Sequence, residues 1–106
     1  CEKVLALLHE VQELLKQPKL HEDHVICFDQ YYGSGYGHPT PSMIEAVRLA
    51  ASLEGLFLDP VYSGKAFAGL LDLVRHGYFD SSDRVLFLHT GGTPGLFAYS
   101  ECLSEC

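Results

Sequence analysis

The chain has 106 residues, of which 47% are hydrophobic and 20% are charged, and this balance is typical of a single globular domain. A net charge of −7 and the lack of a lysine or arginine cluster exclude an ordinary nucleic-acid-binding face. The apolar runs are too short to cross a bilayer, and the first residues follow a helical pattern rather than that of a signal peptide. We therefore expect a cytoplasmic protein with no membrane or nucleic-acid partner.

The cysteines give no indication of a metal site. Cys102 and Cys106 lack the spacing of a zinc knuckle, and the six histidines share no helical face, so no metal is predicted. Cys27 lies in an apolar run and is expected to be buried. The chain opens on Cys1 directly inside a helical repeat, so we expect it to be a piece of a longer protein.

The first half of the chain predicts two helices and one strand. Apolar residues at helical spacing predict an amphipathic helix over residues 2–17, which Pro18 ends. Residues 24–28 predict a short buried strand, and the glycines and tyrosines of residues 29–39 predict a loop. A second helix follows, with Thr40 as N-cap and Pro41 at the first helical position, or with Ser42 and Glu45 as a capping box. Gly55 ends this helix.

The second half predicts two further strands and two further helices. Residues 56–58 predict a strand, and the stretch from Leu58 to Lys65 that follows predicts a sharp turn. A helix is predicted over residues 65–76, with Gly77 closing it. Residues 84–89 predict the third strand, followed at once by Thr90-Gly91-Gly92. Residues 94–102 predict a short helix.

This alternation of helices and strands predicts an α/β fold. Strands joined through helices run parallel with right-handed crossovers, and unbroken apolar strands are typical of a sheet with helices on both faces. The predicted architecture is therefore a three-layer parallel sheet.

The same topology predicts where a ligand binds. The carboxyl ends of parallel strands meet at one edge, which brings together the loops that carry Tyr36, Tyr62, Ser63 and Thr90. Aromatic faces and hydroxyls dominate there, so we expect the edge to hold the flat ring of a cofactor.

Three other features of these loops have more ordinary explanations. Asp59 precedes a proline, and an Asx-turn is favoured over catalysis about three to one. Lys65 resembles a catalytic lysine, but an exposed position in the first turn of a helix is favoured. The Gly33-Ser34-Gly35 sequence resembles a phosphate cradle, yet no dinucleotide-binding pattern surrounds it.

Three motifs together resemble a known family. They are Tyr36-Gly37 in the Gly-rich loop, Leu58-Asp59-Pro60-Val61-Tyr62-Ser63-Gly64-Lys65, and Leu88-His89-Thr90-Gly91-Gly92. In order and spacing, residues 20 to about 100 resemble the C-terminal third of the D-cysteine desulfhydrase / 1-aminocyclopropane-1-carboxylate deaminase family. That family depends on pyridoxal 5'-phosphate and has the tryptophan synthase β-like fold.

The resemblance implies roles for individual residues. Tyr62 would stack on the pyridine ring of the cofactor, and Tyr36 would lie near the substrate and its leaving group. Ser63, Thr90 and Gly91 would complete the cofactor site, with the two hydroxyls by the ring nitrogen. The deaminase branch has a glutamate where Ser63 stands and a leucine where Thr90 stands, so the pair is similar to the desulfhydrase pattern.

The resemblance also implies what the chain lacks. The residues 1–106 would form one segment of the larger, cofactor-binding domain, while the cofactor-binding lysine and much of the phosphate site would lie N-terminal to it. The 106 residues alone would be inactive, and the complete enzyme would be a homodimer acting on a small amino acid. The alternatives that stay open are the deaminase activity, a binding domain for a phosphorylated small molecule, and a non-catalytic interaction module.

Overall fold

A computed structural model describes residues 2–104. In chain order it contains helix α1 (Glu2–Leu14), a short 3-10 helix (Glu22–His24), helix α2 (Pro41–Glu54), helix α3 (Ser63–Arg75), a 3-10 helix (Thr93–Tyr99) and helix α4 (Ser100–Ser104). Helices α2 and α3 pack against each other, and α4 packs against α2. Within residues 2–104, no helix has the length and apolar character that a membrane span requires.

Helix α1 ends three residues before the predicted boundary at residue 17. Gln17 precedes Pro18, and a residue in that position is disfavoured in helical conformation. Lys16 therefore turns the chain with a φ of 54°, and the Gln12 side chain bonds the Pro18 carbonyl and the Leu20 amide. No residue of α1 is buried.

Helix α2 begins and ends as the sequence predicts. The Thr40 side chain accepts a hydrogen bond from the Met43 amide, with Pro41 at the first helical position, so Thr40 is the N-cap. Glu45, a member of the rival capping box, instead forms an ion pair with Arg75. Gly55 ends the helix in the left-handed conformation, with a φ of 65°.

The core lies between α2, α3 and the segment that precedes α3. Its buried apolar side chains are Met43, Val47, Ala50 and Leu58. Small residues let the two helices approach closely. A Cβ atom on Gly64 would lie 2.8 Å from Val47 Cγ2 and 2.6 Å from the Asp59 carbonyl oxygen, so this position requires glycine.

Tyr31 lies across α3 at the beginning of the Gly-rich loop (residues 29–39). Its hydroxyl donates to Asp72 Oδ2 at 2.7 Å, and this bond is the largest of the influences that raise the Tyr31 pKa. Its ring covers Gly69, where an added Cβ would lie 2.9 Å from Tyr31 Cδ2. The loop is therefore held against the helix at its first residues.

The predicted α/β fold with a parallel sheet is wrong for this chain. Residues 2–104 contain helices and connecting segments but no strand, and no backbone hydrogen bond joins residues 24–28, 56–58 and 84–89 to one another. An apolar run becomes a strand only when a neighbouring strand satisfies its backbone groups, and here none does. The side chains are accordingly exposed, Leu86 by 89% and Leu88 by 75%. Cys27 is also exposed rather than buried.

Candidate functional site

A cleft of about 560 Å³ lies between α3, the Gly-rich loop and residues 87–90. Of the predicted site residues, Tyr62, Ser63 and Thr90 line it. The remaining walls are largely apolar and aromatic, with Phe28, Tyr31, Tyr32, Leu70, Leu73 and Phe87 among the lining residues. A concave, mostly apolar site with a few polar groups is the usual form of a small-molecule site.

Asp59 bonds Ser63, one of the polar residues that line this cleft. The carboxylate is 3% exposed and caps the beginning of α3. Oδ2 accepts from the amides of Val61 and Tyr62 at 2.8 and 2.7 Å, and Oδ1 accepts from the Ser63 amide at 2.7 Å. The predicted turn role of Asp59 therefore matches its contacts, which extend to three successive amides.

The charge state of Asp59 follows from these bonds. Burial raises the pKa of its carboxyl, but the bonds from the Ser63 side chain and from the Ser63, Tyr62 and Val61 amides outweigh burial and hold the pKa below 3.8. The carboxylate is therefore ionised at neutral pH. It supplies the negative charge that the positive end of α3 favours.

Ser63 uses its hydroxyl proton within this cap. The Ser63 hydroxyl donates to Asp59 Oδ1 at 2.6 Å and accepts from the Asp59 amide at 2.8 Å. A hydroxyl has one proton and two acceptor sites, so Ser63 can offer a further ligand atom only an acceptor.

Thr90 differs from Ser63 in both exposure and bonding. It is exposed, and its hydroxyl has no hydrogen-bond partner within residues 2–104, so its proton is available to a ligand. The loop that follows is fixed near Asp59. His89 and Thr93 both bond the Phe57 carbonyl, at 3.1 and 2.9 Å.

Gly91 and Gly92 both have positive φ in this loop, but only one abuts Asp59. A Cβ on Gly92 would lie 2.9 Å from Asp59 Cβ, whereas a Cβ on Gly91 would meet open space. Gly91 does not line the cleft, and its amide donates to His89 Nδ1 at 3.0 Å.

Tyr36 and Tyr62 meet at the mouth of the cleft. Their hydroxyls lie 2.8 Å apart, with Tyr62 donating, and the ring centroids are 5.8 Å apart at 63°. The bond to Tyr36, followed by desolvation and by the charges of Tyr36 and Asp59, raises the Tyr62 pKa. Both side chains are mainly exposed, so their ring faces are accessible to a ligand.

The predicted exposure of Lys65 is wrong. The sequence predicts an exposed helix residue, but Lys65 is 7% exposed. Its Nζ atom donates to the carbonyls of Tyr32 and Gly35, 33 and 30 residues away in sequence. No local pattern signals a contact of that separation.

The described residues hold no cluster of histidine, cysteine, aspartate or glutamate suited to a metal, and Cys1 and Cys106 lie outside them.

These residues fit the ring of a planar cofactor better than they fit a phosphate. The accessible Tyr62 ring and the Thr90 hydroxyl suit a flat heteroaromatic group. A helix N-terminus is ordinarily an anion site, but the Ser63 amide of α3 already donates to the Asp59 carboxylate and the Gly64 amide to the Asp59 carbonyl. Among residues 2–104, the one cation that lines the cleft is Lys65, and it already bonds two carbonyls. A phosphate would therefore be held by other residues.

Comparison with known proteins identifies the family of this chain and its cofactor. Residues 3–91 match the family described as pyridoxal-phosphate dependent enzymes. Since the match covers most of the chain, the chain belongs to that family, and its cofactor is pyridoxal phosphate.

The chain is also similar to individual curated proteins of known name. The chain is 46% identical over 97 residues to the D-cysteine desulfhydrases of Salmonella newport (strain SL254), Salmonella heidelberg (strain SL476) and Salmonella enteritidis PT4 (strain P125109). Each match covers 92% of this chain and 29% of the relative. The chain therefore spans less than a third of the length of the relatives it matches.

Proposed function

We propose that this chain is a segment of an enzyme that eliminates the thiol from D-cysteine to give pyruvate, sulfide and ammonia. The observation that carries the proposal is the pair of hydroxyls, Ser63 and Thr90, at a cleft whose nearby carboxylate is already bonded. The likeness to three D-cysteine desulfhydrases supports the choice of substrate.

In this proposal the cofactor supplies an electron sink for bond breaking at the α-carbon of an amino acid. Tyr62 holds the cofactor ring by stacking. Thr90 donates to the ring nitrogen, because its proton is available, while the Ser63 proton stays on Asp59. Gly91 follows Thr90 outside the cleft lining, so its proposed part is to fix the backbone next to Thr90.

The tyrosine pair supplies a proton near the leaving group. Tyr62 donates to Tyr36, which leaves the Tyr36 proton available. In the proposal, Tyr36 gives that proton to the departing thiolate. A thiolate is a good leaving group, so the hydroxyl environment of the cleft is sufficient. Opening a cyclopropane ring would be favoured by a carboxylate near the ring nitrogen, and Asp59 is instead committed to the α3 cap.

Lys65 has no role as the covalent anchor of the cofactor in this proposal. Its amine is buried and bonds two carbonyls. The 106 residues by themselves are therefore expected to be inactive. The lysine that binds the cofactor, and the homodimer expected of the complete enzyme, belong to the proposal for the whole protein.

The test uses the protein as its gene encodes it. Sulfide release from D-cysteine is measured beside ketobutyrate release from 1-aminocyclopropane-1-carboxylate, and D-cysteine is expected to be the better substrate. Thr90→Val keeps the shape but removes the proton, so kcat should fall roughly tenfold, the effect of about 1.4 kcal/mol.

Tyr36→Phe should lower kcat while leaving cofactor binding unchanged, and Tyr78→Phe, outside the cleft lining, is the matched control. Faster turnover of the cyclopropane amino acid would contradict the proposed substrate. An unchanged rate for both Thr90→Val and Tyr36→Phe would contradict the proposed roles.

A further inference from the structure

Lys65 is a buried cation in an unfavourable place. It lies in the first turn of α3, where the helix dipole disfavours positive charge, and it is 7% exposed. Within residues 2–104, no carboxylate lies within ion-pair distance of its amine. Burying an unpaired charge is costly unless hydrogen bonds compensate. The compensation here comes from the Tyr32 and Gly35 carbonyls alone.

Those two carbonyls flank the tip of the Gly-rich loop. Gly33, between them, has a φ of 76°, and an added Cβ would lie 2.5 Å from the Thr40 methyl group. The tip is therefore confined between Lys65 on one side and the N-cap of α2 on the other. Lys65 is the point at which α3 holds the middle of the loop.

Tyr36 lies between two anchored peptide groups. The Gly35 carbonyl accepts from Lys65 at 3.2 Å, and the Gly37 carbonyl accepts from the Tyr99 hydroxyl at 2.6 Å. The Tyr36 side chain itself is 77% exposed, so packing does little to fix it. Its position against Tyr62 depends on the backbone that these two bonds hold.

We propose that Lys65 is a positioning residue that fixes the Gly-rich loop so that the Tyr36 hydroxyl meets the Tyr62 hydroxyl at the mouth of the cleft. The geometric part of this role concerns the chain alone. Its catalytic consequence, correct placement of the proton donor, rests on the function proposed above.

The first test replaces the amine with an uncharged side chain of similar length, Lys65→Met. In the protein as its gene encodes it, tyrosines carrying ¹³C at Cζ are observed by NMR. Tyr36→Phe defines how the Tyr62 signal moves when the pair is broken. Lys65→Met should reproduce that movement, while Lys3→Met, at an exposed lysine of α1, should leave it unchanged. A Tyr62 signal that stays at its original position in folded Lys65→Met would overturn the proposal.

A second measurement needs no substitution, so it tests the contacts of Lys65 even if Lys65→Met fails to fold. In the protein as its gene encodes it, the lysines are acylated under native conditions, and those of residues 1–106 (Lys3, Lys16, Lys19 and Lys65) are quantified by mass spectrometry. Because burial and two hydrogen bonds protect its amine, Lys65 should react at least about tenfold more slowly than the other three. Reaction of Lys65 as fast as that of Lys16 would overturn the proposal.

Kinetics then separate this role from simple structural support. In the protein as its gene encodes it, Lys65→Met should lower kcat for D-cysteine with little change in cofactor affinity, and Lys65→Arg, which retains donors, should recover part of the rate. A loss of cofactor affinity with kcat unchanged would contradict a positioning role. If neither the unaltered protein nor any variant releases sulfide, the proposed function fails. The NMR and acylation results still test whether Lys65 holds the Gly-rich loop.

Discussion

Helices α1 and α3 each have 13 residues and an amphipathic pattern, yet they differ completely in burial. α1 presents large aliphatic side chains and buries none of its residues, with Leu7 61% and Leu14 81% exposed. α3 buries Ser63, Gly64, Lys65, Ala68 and Gly69, which are small or polar. Hydrophobicity alone therefore does not decide which helix becomes part of the core. Close approach to α2 and a bonded N-terminus decide it for α3.

The largest expected effect is a loss of stability in the core, which a substitution on α1 should not produce. Met43 is completely buried in α2, and Met43→Ala should lower the free energy of unfolding by about 2–5 kcal/mol. Leu7→Ala on α1 should change it by less than about 0.5 kcal/mol. Urea denaturation of both variants measures the difference. A loss above about 2 kcal/mol for Leu7→Ala would mean that something outside residues 2–104 covers α1.

The next effect removes the charge that caps α3. Asp59→Asn keeps the size but weakens the bonds from the Val61, Tyr62 and Ser63 amides, so unfolding should be easier by about 1–2 kcal/mol at neutral pH. Asp29→Asn, at an exposed carboxylate, is the matched control.

The pH dependence of stability gives a sharper version of the same test. The folded-state pKa of Asp59 lies below its ordinary value of 3.8, so its stabilisation is complete above the unfolded-state pKa and is lost as pH falls through the folded-state pKa. The original protein should therefore lose more stability on acidification below about pH 4 than Asp59→Asn does. Parallel acid-unfolding curves would show that Asp59 does not carry this charge effect.

The smallest expected effect is a difference in melting temperature between alanine variants of two adjacent glycines. Gly91 and Gly92 have φ values of 101° and 89°, so alanine is strained at both, by about 1–2 kcal/mol. Only at position 92 would the new Cβ also meet Asp59. Gly92→Ala should therefore melt at a lower temperature than Gly91→Ala. Equal melting temperatures would show that Asp59 and the loop are not in firm contact.

The features that the sequence predicts correctly are local ones. Thr40 caps α2, Gly55 ends it and Asp59 bonds the amides that follow, because each depends on residues within a few positions. The short helix predicted near residues 94–102 also corresponds to helical segments. Of the four residues expected at one edge, Tyr62, Ser63 and Thr90 line the cleft, whereas Tyr36 only bonds Tyr62. Their roles stay a prediction, and the sheet on which the grouping depended is absent from residues 2–104.

The features that the sequence predicts wrongly depend on distant partners. Apolar patterns such as residues 84–89 indicate a preference for extended backbone, but pairing depends on another strand that the pattern does not specify. The burial of Lys65 depends on carbonyls 30 and 33 residues away. Two identical local patterns would therefore give different outcomes in different surroundings.

The contact between Tyr31 and Gly69 also limits how the protein can be engineered. Replacing a mid-helix glycine with alanine is a common route to greater stability, because alanine favours the helix by about 1 kcal/mol. At position 69 the added methyl group would push against the Tyr31 ring. That ring lines the cleft and holds the start of the Gly-rich loop, so a gain in helix propensity would alter the wall of the cleft. Position 69 thus links the thermal tolerance of α3 to the shape of the cleft.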